Sequence, residues 1–241
     1  MSTQTPTRSD ALVSPRLYRG VRNAVVAVLT LVILGGFLLA IPRLNILEET
    51  ARNLYFHVPM WFTLMAATLV SAYHSLQYLR TDDPVRDLRA REAARLAIVF
   101  GLLGIVTGMV WARFTWYEGT NKWWNFDPKQ SMAAVLLLIY GAYFVLRSGI
   151  EVVAKRARIA AVYNLFAFVT MPFLLYVLPR QMKSLHPGAE GNPAFSEITA
   201  PIMRLVLYPS FIAFIGLFWV LYTQRVRLAY LARRLHNEPK W

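Results

Sequence analysis

"VRNAVVAVLTLVILGGFLLAI", residues 21–41, is a run of apolar side chains with a single charge, Arg22, near its start. A helix needs roughly 20 such residues to cross the hydrocarbon layer of a bilayer. No small-residue cleavage site follows the run, and Pro42-Arg43 comes next, so it reads as an uncleaved anchor rather than a leader. Five further apolar runs lie at 58–78, 96–111, 132–149, 159–178 and 202–222. The third and fourth are short for a span unless flanking residues extend them. The expected fold class is therefore all-α, a polytopic membrane protein with six transmembrane helices.

Composition agrees. The chain of 241 residues is 56% hydrophobic and 16% charged, where a soluble domain carries about a quarter charged residues. There is no cysteine. That excludes disulfides, thiolate ligands and a Cys-x-x-Cys-His haem attachment site. Any bound iron or metal falls to His, Met, Tyr or carboxylate.

The net charge of +13 could suggest nucleic acid, but its placement says otherwise. Arg16, Arg19, Arg22, Arg80, Arg86, Arg89, Arg147, Lys155, Arg225 and Arg234 all fall on one set of flanks, with most of the other basic residues. The opposite set is sparse: Arg43, Arg52, Arg113, Lys122, Lys129, Arg180, Lys183 and Arg204. By the positive-inside rule both termini are expected in the cytoplasm. The surplus is a topology signal and a contact for anionic lipid. The organisation expected is a cytoplasmic tail over 1–20, a six-helix membrane domain over 21–224 and a basic cytoplasmic tail over 225–241. No charge falls in the core of any apolar run, which argues against an ion pathway across the bilayer. Chemistry is expected at the outer face.

The outer face has a candidate. "WARFTWYEGTNKWWNFDPKQS", residues 111–131, holds four of the seven Trp of the chain, with Phe114, Tyr117 and Phe126 among them. Aromatic belts at bilayer interfaces account for one or two such residues. A flat, mostly apolar macrocycle would be stacked well by the whole set. Asp127 before Pro128 is a helix-start signal, with Asp127 as N-cap. His57, in "RNLYFHVPMWF", and His186, in "QMKSLHPGAEGNP", fall on the same face. Two histidines from different loops could supply both axial ligands to a haem iron; a single interfacial His more often only hydrogen-bonds. His74 lies 17 positions beyond His57, roughly 25 Å deeper along a helix, and His236 is in the C-terminal tail. Arg52 and Lys129 are the outer basic residues nearest these motifs. They could pair with two propionates or anchor to lipid phosphate. Gly101, Gly104 and Gly108 form a small-residue face suited to close helix packing. Pro172 and Pro209 should kink their spans.

"FHVP", the Trp-rich loop with "WWNFDPK", and "SLHP" occur in that order, and the chain resembles the haem-handling family of cytochrome c biogenesis. Its members are the haem exporter protein C type (CcmC) and the longer cytochrome c synthetase type (CcsA). Six spans are similar to the CcmC type, while "DPK" leans towards the synthetase type. The resemblance implies non-covalent b-type haem held transiently at the periplasmic face of the bacterial inner membrane. It implies His57 and His186 as axial ligands, and Trp116, Trp123, Trp124, Phe126 and Asp127 in the haem-binding loop. Arg52 and Lys129 match basic positions. The partners implied are the haem chaperone CcmE, the transporter subunits CcmA and CcmB, and the small protein CcmD. The role implied is delivery of haem rather than enzyme catalysis; a synthetase that attaches haem to apocytochrome is the alternative. A membrane cytochrome and a structural subunit without cofactor are more distant readings. Two departures stand out. "YEGTNK" separates Trp116 from Trp123, which displaces Gly119, and Phe126 stands where Trp is usual, keeping the stacking face without the indole N–H.

Overall fold

Three helix starts carry one signal, a side-chain cap followed by proline. The computed structural model describes residues 14–42, 47–116, 122–186 and 200–235. Ser14 precedes Pro15, Asp83 precedes Pro84 and Asp127 precedes Pro128. In each, the side-chain oxygen accepts a backbone N–H of the first turn: Leu17 at 3.3 Å, Val85 at 2.9 Å and Lys129 at 2.9 Å. Proline costs nothing at the first helical position, where its missing N–H would be unpaired anyway.

The elements run α1 (Pro15–Leu38), a short 3-10 helix (Glu48–Asn53), α2 (Leu54–Thr81), α3 (Pro84–Thr115), α4 (Pro128–Ser148), α5 (Val153–Pro172), a π-helical turn (Phe173–Val177), the one-turn α6 (Leu178–Arg180) and α7 (Pro201–Leu235). No strand occurs among the described residues. Six helical segments are long and apolar enough to cross a membrane, and the chain is a multi-pass membrane protein. Pro172 ends α5 in that π-helical turn, which accommodates the hydrogen bond proline removes.

The helices outrun the apolar runs. The stretch from Arg80 to Arg95, expected as a connection, is almost entirely helix: only Asp82 and Asp83 separate α2 from α3. Likewise α7 continues through Arg225 and Arg227 to Leu235. Charge had masked these ends, and the charges are paired. Arg147 makes two bonds to Asp87, at 2.6 and 2.7 Å, and both are buried. Glu92 is 1% exposed and meets Arg91, Arg95 and Arg225. Buried carboxylates are tolerated only when compensated in this way. The network ties α3, α4 and α7 together at one end of the bundle.

The other end is built by close contact. A Cβ on Gly101 would lie 2.7 Å from Leu64, on Gly104 2.8 Å from Trp61, and on Gly108 2.8 Å from the His57 ring. The small-residue face of α3 therefore lets α2 come in against it. Inside the bundle, Asn164 of α5 donates to Ser71 and Ser75 of α2, both at 2.7 Å. Inter-helix polar bonds of this kind suit an apolar surrounding. By contrast α1 packs chiefly along α7 and turns most of its apolar surface outward, with Leu31 68% exposed, as a lipid-facing helix would.

Candidate functional site

The two histidines meet. His57 sits in the first turn of α2, and His186 follows Ser184 in the segment after α6. Their ring centroids are 6.3 Å apart with planes at 58°. Two imidazoles on opposite sides of one metal ion span nearly this distance, given about 2 Å per metal–nitrogen bond.

Each ring has its own support. The Nδ1 of His57 lies 3.0 Å from the Thr107 hydroxyl of α3, and the bare Cα of Gly108 lets the Cε1 edge of the ring come in against that helix. Trp61 and Trp111 meet it in T-shaped contact at 6.3 and 5.9 Å. The Trp111 indole donates to Thr50 at 3.2 Å, and Thr50 in turn donates to the carbonyl of Leu47. His186 is approached by Trp116 in T-shaped contact at 6.2 Å.

Asp127 is the tether of His186. It is 4% exposed. Its Oδ1 caps α4. Its Oδ2 accepts both the Ser184 hydroxyl and the Leu185 N–H at 2.8 Å, and the His186 N–H donates to Ser184 at 3.1 Å. One carboxylate thus joins the aromatic loop, α4 and the His186 segment. The capping expectation holds, and the link to His186 is new. Burial, then the nearby Lys129 and His57, lowers the His186 pKa to about 3. Its imidazole is neutral at physiological pH and so can serve as a ligand.

The remaining sequence candidates divide. Lys129 opens α4 close enough to His186 to act on its charge. Trp123 and Phe126 are exposed, Phe126 by 82%, and Phe126 meets Trp124 at 6.4 Å rather than either histidine. Phe126 also has φ 54°, a left-handed conformation costly for a side-chain-bearing residue, which turns the chain into the Asp127 cap. Arg52 is occupied elsewhere: Nη1 donates to the α1 carbonyls of Gly36 and Leu39 at 2.8 and 2.7 Å, and Nε to Glu49 at 2.7 Å. It closes the C-terminal end of α1. His74 is buried near Tyr73 and Tyr222, away from the pair. Tyr117, Gly119, Arg43 and His236 lie outside the described residues.

Sequence reading missed Thr107, Asn53 and Ser184. Thr107 stands one turn before Trp111 on α3; its neighbourhood to His57 crosses 50 positions, and no local pattern marks it. A cavity of about 20 Å³ lies beside the rings, lined by Leu47, Gly108, Trp111, Thr115, Trp116 and His186. It has room for little more than a water molecule.

The fold and this geometry define a six-span membrane protein that presents two neutral-capable imidazoles, backed by indoles, at one end of its bundle. A family model described as heme exporter protein C matches residues 2–240, and the chain belongs to that family. It is 30% identical over 186 residues to the heme exporter protein C of Paracoccus denitrificans, covering 77% of this chain and 76% of that one. It is 27% identical over 225 residues to the heme exporter protein C of Escherichia coli K12, covering 89% and 87%. A putative cytochrome c biosynthesis ccmC-like mitochondrial protein of Marchantia polymorpha is 24% identical over 190 residues, covering 77% and 78%.

Proposed function

We propose that this protein holds haem at the periplasmic face of the bacterial inner membrane and hands it to the chaperone CcmE during cytochrome c maturation. The observation that carries the reading is the approach of His57 and His186 to 6.3 Å from elements far apart in the chain. Two imidazoles from one protein are a standard axial set for haem iron. Haem is the cargo here, bound through iron–nitrogen bonds without covalent attachment, and the subunit is not an enzyme.

The donor set fits iron. The small cavity beside the rings, about 20 Å³ among the described residues, is smaller than a macrocycle. Trp116 flanks His186 and faces one side of the cargo. Trp123, Trp124, Phe126 and Lys129 lie in the same loop and helix start, where exposed rings suit contact with cargo or acceptor and Lys129 suits a propionate. The bonds of Arg52 to α1 give it the work of holding the 3-10 helix before His57, with any propionate contact secondary. Release to the acceptor follows from loss of one axial ligand. CcmA, CcmB and CcmD would complete the assembly. Both termini lie in the cytoplasm, on the side of the Asp87 and Glu92 ion pairs.

The test is the absorption spectrum, oxidised and reduced, of the detergent-purified protein beside His57→Ala and His186→Ala. A haem spectrum that changes or vanishes in both variants supports the paired site. Full haem content in both refutes it. Because the chain has no cysteine, Trp123→Cys offers a unique thiol: labelling by an impermeant reagent from the periplasm supports the orientation, and labelling only after lysis overturns it.

A further inference from the structure

Resting on that haem-holding reading, we propose that Thr107 is a positioning residue for His57: its hydroxyl fixes the imidazole as the Nδ1–H tautomer, so that Nε2 is the nitrogen offered to iron.

The assignment follows from counting protons. The Thr107 Oγ1 lies 2.8 Å from the carbonyl oxygen of Leu103 and 3.0 Å from that of Gly104. It also lies 3.0 Å from Nδ1 of His57. A carbonyl only accepts, and a hydroxyl has one proton. Oxygens 2.8 Å apart with no proton between them would set lone pair against lone pair. The Thr107 proton therefore goes back to the α3 carbonyls, as threonine hydroxyls in helices commonly do. Towards His57 the hydroxyl can then only accept, and Nδ1 must be the donor. A neutral imidazole carries one N–H, so Nε2 keeps its lone pair. An N–H bond on the far nitrogen is also what orients a metal-binding imidazole and raises its basicity.

The surroundings hold this arrangement in place. His57 is 5% exposed. Trp61 and Trp111 flank the ring in T-shaped contact. Gly108 leaves it only the room of a missing Cβ, which would stand 2.8 Å from Cε1. Asn53, in the turn before α2, donates to the Thr107 carbonyl at 3.0 Å and locks the start of α2 to the same turn of α3. A ring flip that exchanged the nitrogens would have to displace these contacts.

The measurement is nitrogen NMR of the full-length, haem-free protein in detergent with ¹⁵N-histidine. The chain has four histidines, and the His57 signals are those absent in His57→Ala. The expected result is a protonated Nδ1 and a bare Nε2. Thr107→Val, which keeps the shape and removes the acceptor, should move His57 towards the other tautomer. Thr107→Ser should restore the wild-type signals. In haem titrations Thr107→Val should bind about ten-fold more weakly, the low end for loss of a supporting hydrogen bond to a ligand, with Thr107→Ser near wild type. In a His57→Ala background Thr107→Val should change nothing further. A wild-type His57 with its proton on Nε2 overturns the proposal, as does Thr107→Val with tautomer and affinity unchanged. If Thr107 controls the tautomer yet the wild type never takes up haem, the Thr107 assignment stands and the haem-holding reading falls.

Discussion

Replacing Asp127 separates two roles that its carboxylate combines. One oxygen caps α4 through the Lys129 N–H; the other accepts from Ser184 and Leu185. Asn is as good an N-cap as Asp, whereas Ala loses about 1 kcal/mol there. Neither can serve the second set. The amide nitrogen of Asn would face the Leu185 N–H donor to donor, and Ala has no acceptor. Hydrogen bonds to a charged group are worth about 1.5–3 kcal/mol each. Ser184 can rotate its hydroxyl to another partner, so a net loss of about 2 kcal/mol for the His186 tether is the expectation. Against 1.4 kcal/mol per factor of ten, the equilibrium that holds His186 beside His57 would weaken about thirty-fold, which sets the upper limit of the fall in apparent haem affinity. Asp127→Asn should thus bind haem about as weakly as Asp127→Ala while keeping a higher thermal midpoint, because only the alanine variant also loses the cap. Ser184→Ala should share part of the binding loss. The assay is haem titration by absorbance with thermal unfolding followed on the same samples. Wild-type affinity in Asp127→Asn would refute the tether.

Three further outcomes follow from the same geometry. Gly108→Ala places a methyl 2.8 Å from the His57 ring, an overpacking of about 1–3 kcal/mol; a normal midpoint with an unaltered haem spectrum would contradict the close approach of α2 to α3. Asp87→Asn strands the buried Arg147 charge, a loss of about 3–5 kcal/mol, and the double variant Asp87→Asn/Arg147→Met should recover much of the yield and midpoint; a single variant as stable as wild type would remove that pair from the account. For pH, the His186 pKa sits at about 3 in the folded chain against about 6.5 when unfolded. The unfolded chain takes the proton first as pH falls. Stability from a neutral His186 is therefore complete above about pH 6.5 and is lost on the way down to 3. The midpoint of wild type should fall more between pH 7 and 4 than that of His186→Gln, and equal slopes would count against the neutral ring.

The ring pair at 6.3 Å shows where sequence reading reaches and where it stops. Both histidines are visible as His-x-Pro at the start of an apolar run and His-Pro in an outer loop, because a proline beside an imidazole is a local signal. The Asp127 cap was visible for the same reason. What Asp127 does with its second oxygen was not, because Ser184 stands 57 positions away. The same cap-and-proline signal stands at Asp83-Pro84, but the charges after it give the stretch the composition of a connection; the partners that make those charges tolerable, Arg147 for Asp87 and Arg225 for Glu92, lie 60 and 133 positions off. Arg52 read as a propionate partner, and only its distance to the α1 carbonyls revealed its other work.

Hydropathy, proline and the lack of cysteine are properties of short stretches or of composition, and they determined the membrane class, the six helices and the kind of ligand available. The identity of neighbours is set by how helices close on one another. The bare face of Gly101, Gly104 and Gly108 admits α2, brings Thr107 under His57 and lets one buried carboxylate hold the second imidazole. Those contacts depend on packing between distant segments, and only the tertiary structure decided them.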